Sequence, residues 1–149
     1  MSQFRSHAAA LALLLALGAA PAVAADEPLT AEQAVQARQT AMKEDGRALR
    51  HADELTGEDA IKVLTLIEAN YERLPSLFPK DSITGKSIAK PIIWDRFDEF
   101  TAIFDKGAAA AADGIAAINA GDQGDYLASL KRIGATCTEC HRTFREKRE

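Results

Sequence analysis

The chain has 149 residues, with 18 Lys and Arg against 22 Asp and Glu and a formal net charge of −4. That acidic balance argues against nucleic acid or an anionic membrane as partner, because both select cationic faces. Few β-branched runs, abundant Ala and no low-complexity tract beyond the first two dozen residues make all-α the expected class.

Residues 1–24 read as a secretory signal peptide. Arg5 supplies the positive start, Ala8 to Ala20 the apolar run, and Ala22-Val23-Ala24 the small-residue site, so cleavage is expected after Ala24 or Ala25. The apolar run is too short and too rich in Ala for a membrane span, and nothing later resembles one. Residues 25–149 are therefore expected to form one exported, periplasmic domain that is not membrane-embedded. Removing Arg5 from the 18 basic residues leaves 17 against 22 acidic ones, a net charge near −5.

After a leader from Asp26 to Leu29, Thr30 and Gln33 form a capping box for a first helix. Its stripe runs Val35, Met42 and Leu49 with Ala34, Ala41 and Ala48 alongside, and Arg38 lies one turn before Met42. Gly46 marks close approach of another helix or of a cofactor, or else a weak spot. Thr56-Gly57-Glu58 restarts the chain, and Ala60, Leu64, Ile67, Tyr71 and Leu74 trace a second stripe that Pro75 ends. The stretch from Pro75 to Lys90 is a loop longer than a bundle needs, with Leu77, Phe78 and Ile88 apolar enough to wrap over a core or ligand.

Pro91 is read as the first residue of a third and longest helix, with the stripe Ile93, Phe97, Phe100, Phe104, Ala108, Ala111, Ile115 and Ile118. The Ala108 to Ala112 run permits close helix contact or leaves room for a flat cofactor, with close contact the default. Gly121 and Gly124 break the chain, and a fourth helix reads Leu127, Leu130, Gly134, Cys137, His141 and Phe144. Gly134 is expected to remove a side chain where a macrocycle would collide.

On that last helix stands Cys137-Thr138-Glu139-Cys140-His141, the CxxCH pattern of a c-type haem attachment site. Thiols at i and i+3 share a helix face and can add to the two haem vinyl groups, and His141 then reaches the iron. A thioredoxin-like redox pair would need a strand and turn around it, where the flanks read as helix. A zinc site needs four ligands, and after signal removal only His51 remains beside this cluster. A disulfide at this spacing would close almost no loop. Four amphipathic helices, the last bearing the haem on its inner face, describe a bundle enclosing one covalent haem c.

These residues resemble the class II c-type cytochromes, the cytochrome c′ family and its low-spin relatives, over the whole chain after the signal. The shared features are the late CxxCH followed by Phe144-Arg145, Arg38-Gln39 with Met42, Leu74-Pro75 through Phe78-Pro79, and Lys90-Pro91 leading to Trp94. The resemblance implies an antiparallel four-helix bundle, thioethers at Cys137 and Cys140, His141 as proximal ligand, and Arg38 beside a haem propionate. Arg145 matches a basic residue on the proximal side; with Arg142, Lys147 and Arg148 it equally suits a helix C-terminus.

The sixth iron ligand decides function. In cytochrome c′ the distal face carries no protein ligand and takes small gases, whereas in the low-spin branch a methionine of the first helix fills it. Met42 stands at that position, is the only methionine left after Met1, and is expected to ligate. His51 lies nine residues further on, some 13 Å along the helix, too far to share the iron, and is expected at the surface. The expected function is single-electron transfer between redox protein partners, with no substrate chemistry, since no hydrolytic or group-transfer cluster can be assembled. The alternative is a five-coordinate module binding nitric oxide or carbon monoxide. Monomer and homodimer both suit the pattern.

Overall fold

In the computed structural model, which describes residues 28–147, Thr30 Oγ1 accepts from the Gln33 amide at 3.2 Å and Gln33 Oε1 from the Thr30 amide at 2.8 Å. This reciprocal cap starts α1, Ala31–Ala48, as expected. The signal peptide, its cleavage after Ala24 or Ala25, and Arg148 lie outside the described residues. A 3-10 turn, Leu49–Glu54, carries α1 into α2, Gly57–Arg73. All five residues of the expected second stripe are buried. Pro75 lacks the amide that would continue α2, and a 3-10 turn, Leu74–Leu77, follows.

The third helix is interrupted, contrary to expectation. Pro91 caps a single turn, α3, Ile92–Asp95, and α4, Phe97–Asn119, starts afresh beyond Arg96, whose φ of −129° and ψ of 44° are not helical. Two anchors hold α3 off the axis of α4. Ile93 is buried, and Trp94 Nε1 donates to the Phe78 carbonyl at 3.1 Å, tying this turn to the preceding loop. Arg96 itself pairs with Glu99 and lies 5.6 Å over the Phe144 ring. Phe97, placed on the stripe by spacing, is left 38 % exposed.

Gly121 supplies the positive φ, 74°, that turns the chain after α4. Asp122 then caps α5, Gln123–Phe144, by accepting from the Asp125 amide, so Gly124 lies in the first turn of α5 instead of breaking the chain. The buried face of α5 also differs from the expected one. It runs Tyr126, Ser129, Ile133, Thr136 and Phe144, while Leu127 and Leu130 are half-buried and Gly134 is exposed. Ser129 and Thr136 tolerate burial because each hydroxyl donates at 2.7 Å to a carbonyl one turn back. A Cβ at Gly134 would meet no protein atom within 4 Å, so that glycine makes no room for another helix.

The long helices α1, α2, α4 and α5 form an antiparallel four-helix bundle, the expected all-α class. α4 is its spine, packed against α2 and α5, and α1 leans on α2 and the turn at Leu74–Leu77. The Ala run does permit close contact, with Ala110 and Ala111 buried. At one end of the core, Phe100 meets Phe78, Phe104 and Phe144 edge-on at 4.7, 5.0 and 5.3 Å. Such contacts add directional preference to apolar burial.

Candidate haem site

Two cavities, of about 70 and 260 Å³, lie between α1 and α5, and Met42, Cys140 and His141 line both. Together they mark a slot with α1 on one wall and the CxxCH turn of α5 on the other. Phe78, Ile93, Phe100 and Phe144 make the smaller side apolar, and Leu74, Ile103 and Phe104 the larger. A flat, mostly apolar prosthetic group suits these surroundings.

On the α5 wall, Cys137 lines the larger cavity and Cys140 both, on adjacent turns of one face. The two are not joined in a disulfide, so the S–H of each can add across a haem vinyl group. Tyr71 OH lies 3.5 Å from Cys137 Sγ and 2.8 Å from Thr136 Oγ1. Burial and the neighbouring Cys137 push the Cys140 thiol up to about 11, keeping it neutral. Among the described residues no three His, Cys, Asp or Glu side chains cluster to hold a metal ion by themselves. The iron of a macrocycle needs only the axial positions.

On the α1 wall, Met42 is half-buried and faces the slot. One turn later Asp45 is 5 % exposed and accepts from Asn70 Nδ2 at 2.7 Å. Burial is the main reason that its carboxyl rises to about 6. Gly46 also lines the larger cavity, and a Cβ there would meet nothing within 4 Å, so it opens the wall without forcing close helix contact. His51 is remote from the slot, with its side chain 72 % exposed and 3.8 Å from Glu54, as expected.

Arg38 closes the smaller side, in an arrangement the sequence reading missed. Its guanidinium is 3 % exposed, lies 4.3 Å over the Phe78 ring, and donates to Leu77 O, Ser82 Oγ, Ser82 O and Ser87 Oγ at 2.7 to 2.9 Å. All four partners are neutral oxygens of the loop after α2. Gln39 adds a bond to Lys86 O at 3.1 Å. The far end of the loop is fixed to the end of α5, where Lys90 N donates to Phe144 O and Glu146 N to Ile88 O. The loop is therefore a strap over the smaller cavity, stretched between α1 and α5. Arg145 lines that cavity too, and its Nε is buried without a hydrogen-bond partner. Two guanidinium groups facing one cavity, one with an unanswered donor, fit the acidic edge of a haem. The sequence signal for Asp45 and Arg38 was their spacing of seven, which puts both on the face of Ala41.

A family model described as Cytochrome C′ matches residues 31–145. A cytochrome c′ from Pararhodospirillum photometricum is 34% identical over 122 residues, 77% of this chain and 98% of that one. A cytochrome c-556 from Agrobacterium tumefaciens is 35% identical over 121 residues, covering 76% and 98%. The solved cytochrome c′ from Rhodopseudomonas palustris superposes with a TM-score of 0.67 at 30% identity, covering 78% and 98%.

Proposed function

The chain belongs to the cytochrome c′ family, whose members carry one covalent haem c, and on that premise we propose that it is an exported haem protein that binds a small neutral gas. Nitric oxide and carbon monoxide are the ligands meant. Cys137 and Cys140 hold the haem by thioethers, His141 takes the proximal side of the iron, and Arg38 and Arg145 face the propionates. Bound in this way, the haem supplies an iron that exchanges single electrons and coordinates diatomic gases. The observation that carries the reading is the make-up of the slot. Opposite His141, the α1 wall offers the iron no imidazole or amine; the thioether of Met42 faces the slot among Phe100, Ile103 and Phe104, and the acid of that wall, Asp45, is held by Asn70. A neutral diatomic molecule pays little desolvation to enter such a site. The match to the family model of cytochrome c′, and to a cytochrome c′ along nearly its whole length, supports this over the alternative.

A second reading rests on one specific observation: Met42 is the α1 side chain common to both cavities, each shared with His141. If its sulfur holds the sixth position, the protein is a carrier of single electrons between redox proteins, with a potential raised by the thioether. Neither reading involves substrate turnover. Among the described residues no helix is long and apolar enough to cross a membrane.

Visible spectra of the haem-loaded protein, oxidised and reduced, with and without carbon monoxide, test the proposal. Broad high-spin bands that shift on adding the gas are expected. Sharp low-spin bands indifferent to carbon monoxide, converted to gas-sensitive high-spin bands by Met42→Ala, would overturn gas binding and establish the electron carrier.

A further inference from the structure

Neither reading accounts for an acid in the wall of an apolar slot. Asp45 is 5 % exposed, lines the larger cavity with Cys137 and His141, and has the Asn70 amide as its hydrogen-bond partner. The cations lie on the other side of the slot. Arg38 and Arg145 line the smaller cavity, and among the described residues no Lys or Arg lines the larger one. Each packed element presents a definite set of groups to this acid. Along α1, the neighbouring Glu44 adds negative charge. α2 contributes Asn70 and Tyr71, whose phenol hydrogen-bonds to Thr136 and feels the negative charge of Asp45. From α4 come Ile103 and Phe104, both neutral, and from α5 the two cysteines and His141. The amide of Asn70 favours the ionised form, while burial and Glu44 oppose it, and burial is the larger effect. Around pH 6 the carboxyl is therefore poised between its two forms.

We propose that Asp45 is a redox-linked proton site: its carboxylate takes up one proton when the iron in the slot gains one electron, and releases it on reoxidation. The inference rests on the haem reading above but not on the role of Met42. Reduction lowers the positive charge of the slot by one unit. A carboxylate whose hydrogen-bond partner is the neutral amide of Asn70 then loses its attraction to the centre, and a proton from water restores the former charge balance. The electron comes from an external one-electron donor protein, the proton from solvent to a carboxylate oxygen of Asp45, and no other bond is made or broken. On reoxidation, both leave by the same routes. Electron exchange would thus be nearly electroneutral at this site, with the reduced state favoured by acid.

The test is the midpoint potential of the haem-loaded protein between about pH 5 and pH 8, together with the reduced-minus-oxidised infrared difference spectrum. Haem that separates from the denatured chain would overturn the covalent-haem reading and this proposal with it. With haem retained, the wild-type potential is expected to fall as pH rises through a window around pH 6. The slope should approach about 59 mV per unit, a tenfold change for one electron. The protonated-carboxyl stretch should grow on reduction. Asp45→Asn keeps an oxygen to accept from Asn70, so the fold is maintained while both signals disappear. Asn70→Ala removes the opposing amide and moves the window to higher pH. A flat wild-type profile, or a slope that survives in Asp45→Asn and so belongs to a haem propionate, would overturn the proposal.

Discussion

A methyl group on Gly107 would lie 1.9 Å from Tyr71 Cε1, inside the ring that carries the hydroxyl toward Thr136 and Cys137. Gly107→Ala must therefore push Tyr71 out of its edge-on contact with Phe104, at a cost of about 1–3 kcal/mol. Tyr71→Phe isolates the hydroxyl and should cost about 1 kcal/mol, because Thr136 still donates to Ile133 O. Urea unfolding of both variants checks the order: if Gly107→Ala is the milder change, α4 and α2 have more slack than this packing allows. Asp45 gives a pH-dependent case. Its folded carboxyl titrates near 6 against an ordinary 3.8, so the folded chain binds more protons than the unfolded chain between these values. Stability contributed by this group falls as pH rises through that window and remains low above it. Asp45→Asn should be more stable than the wild type at pH 7, by up to about 3 kcal/mol, with the difference vanishing below about pH 4. Equal stabilities at pH 7 would mean that the buried carboxylate is better solvated than its surroundings imply.

At the level of elements, the strap after α2 depends on one side chain. Arg38 supplies four of its bonds to α1, and two of the acceptors are the Leu77 and Ser82 carbonyls. Arg38→Gln leaves most of those oxygens unanswered and should cost about 2–4 kcal/mol, with amide exchange speeding up around residues 82–89 and little change in α4. Uniform acceleration across the bundle would mean that the strap is integral to the global unfolding unit. This strap also shows where the sequence was readable. All of the α2 stripe was legible because its inward positions are apolar at regular spacing. The CxxCH turn, Met42 and Arg38 could be found as residues, but not the partners of Arg38. Those partners come from an irregular loop, where periodicity carries no information. The face of α5 was misjudged for a related reason. Ser129 and Thr136 look like surface residues until their hydroxyls are satisfied within the helix, and Leu127 and Leu130 then turn to the flank. The break at Arg96 was equally hidden, since the carbonyl that anchors Trp94 belongs to Phe78, 16 residues before Trp94 in sequence.

Over the whole molecule, charge is distributed in a way that the net value conceals. The chain is acidic, at −4, yet the mouth of the smaller cavity is basic. Arg145 lines it, and on the other side of Gln39 a shallow groove is lined by Lys43 and Lys86. Arg142 and Lys147 are exposed nearby at the end of α5. An anionic reagent approaching from a distance meets repulsion from the whole protein, but at contact it meets this rim. The two fields make opposite predictions for salt. If exchange takes place at the rim, oxidation of the reduced protein by hexacyanoferrate should slow as ionic strength rises over about 0.01 to 0.5 M, because screening weakens the local attraction. Lys43→Glu with Lys86→Glu should then reverse the sign of the salt dependence while leaving the visible spectrum unchanged, as neither side chain lines the slot. Should the wild-type rate instead rise with salt, net charge governs the encounter and the haem edge is reached from the larger, acidic side beside Asp45. A partner surface that is acidic if exchange takes place at the rim would then have to be basic.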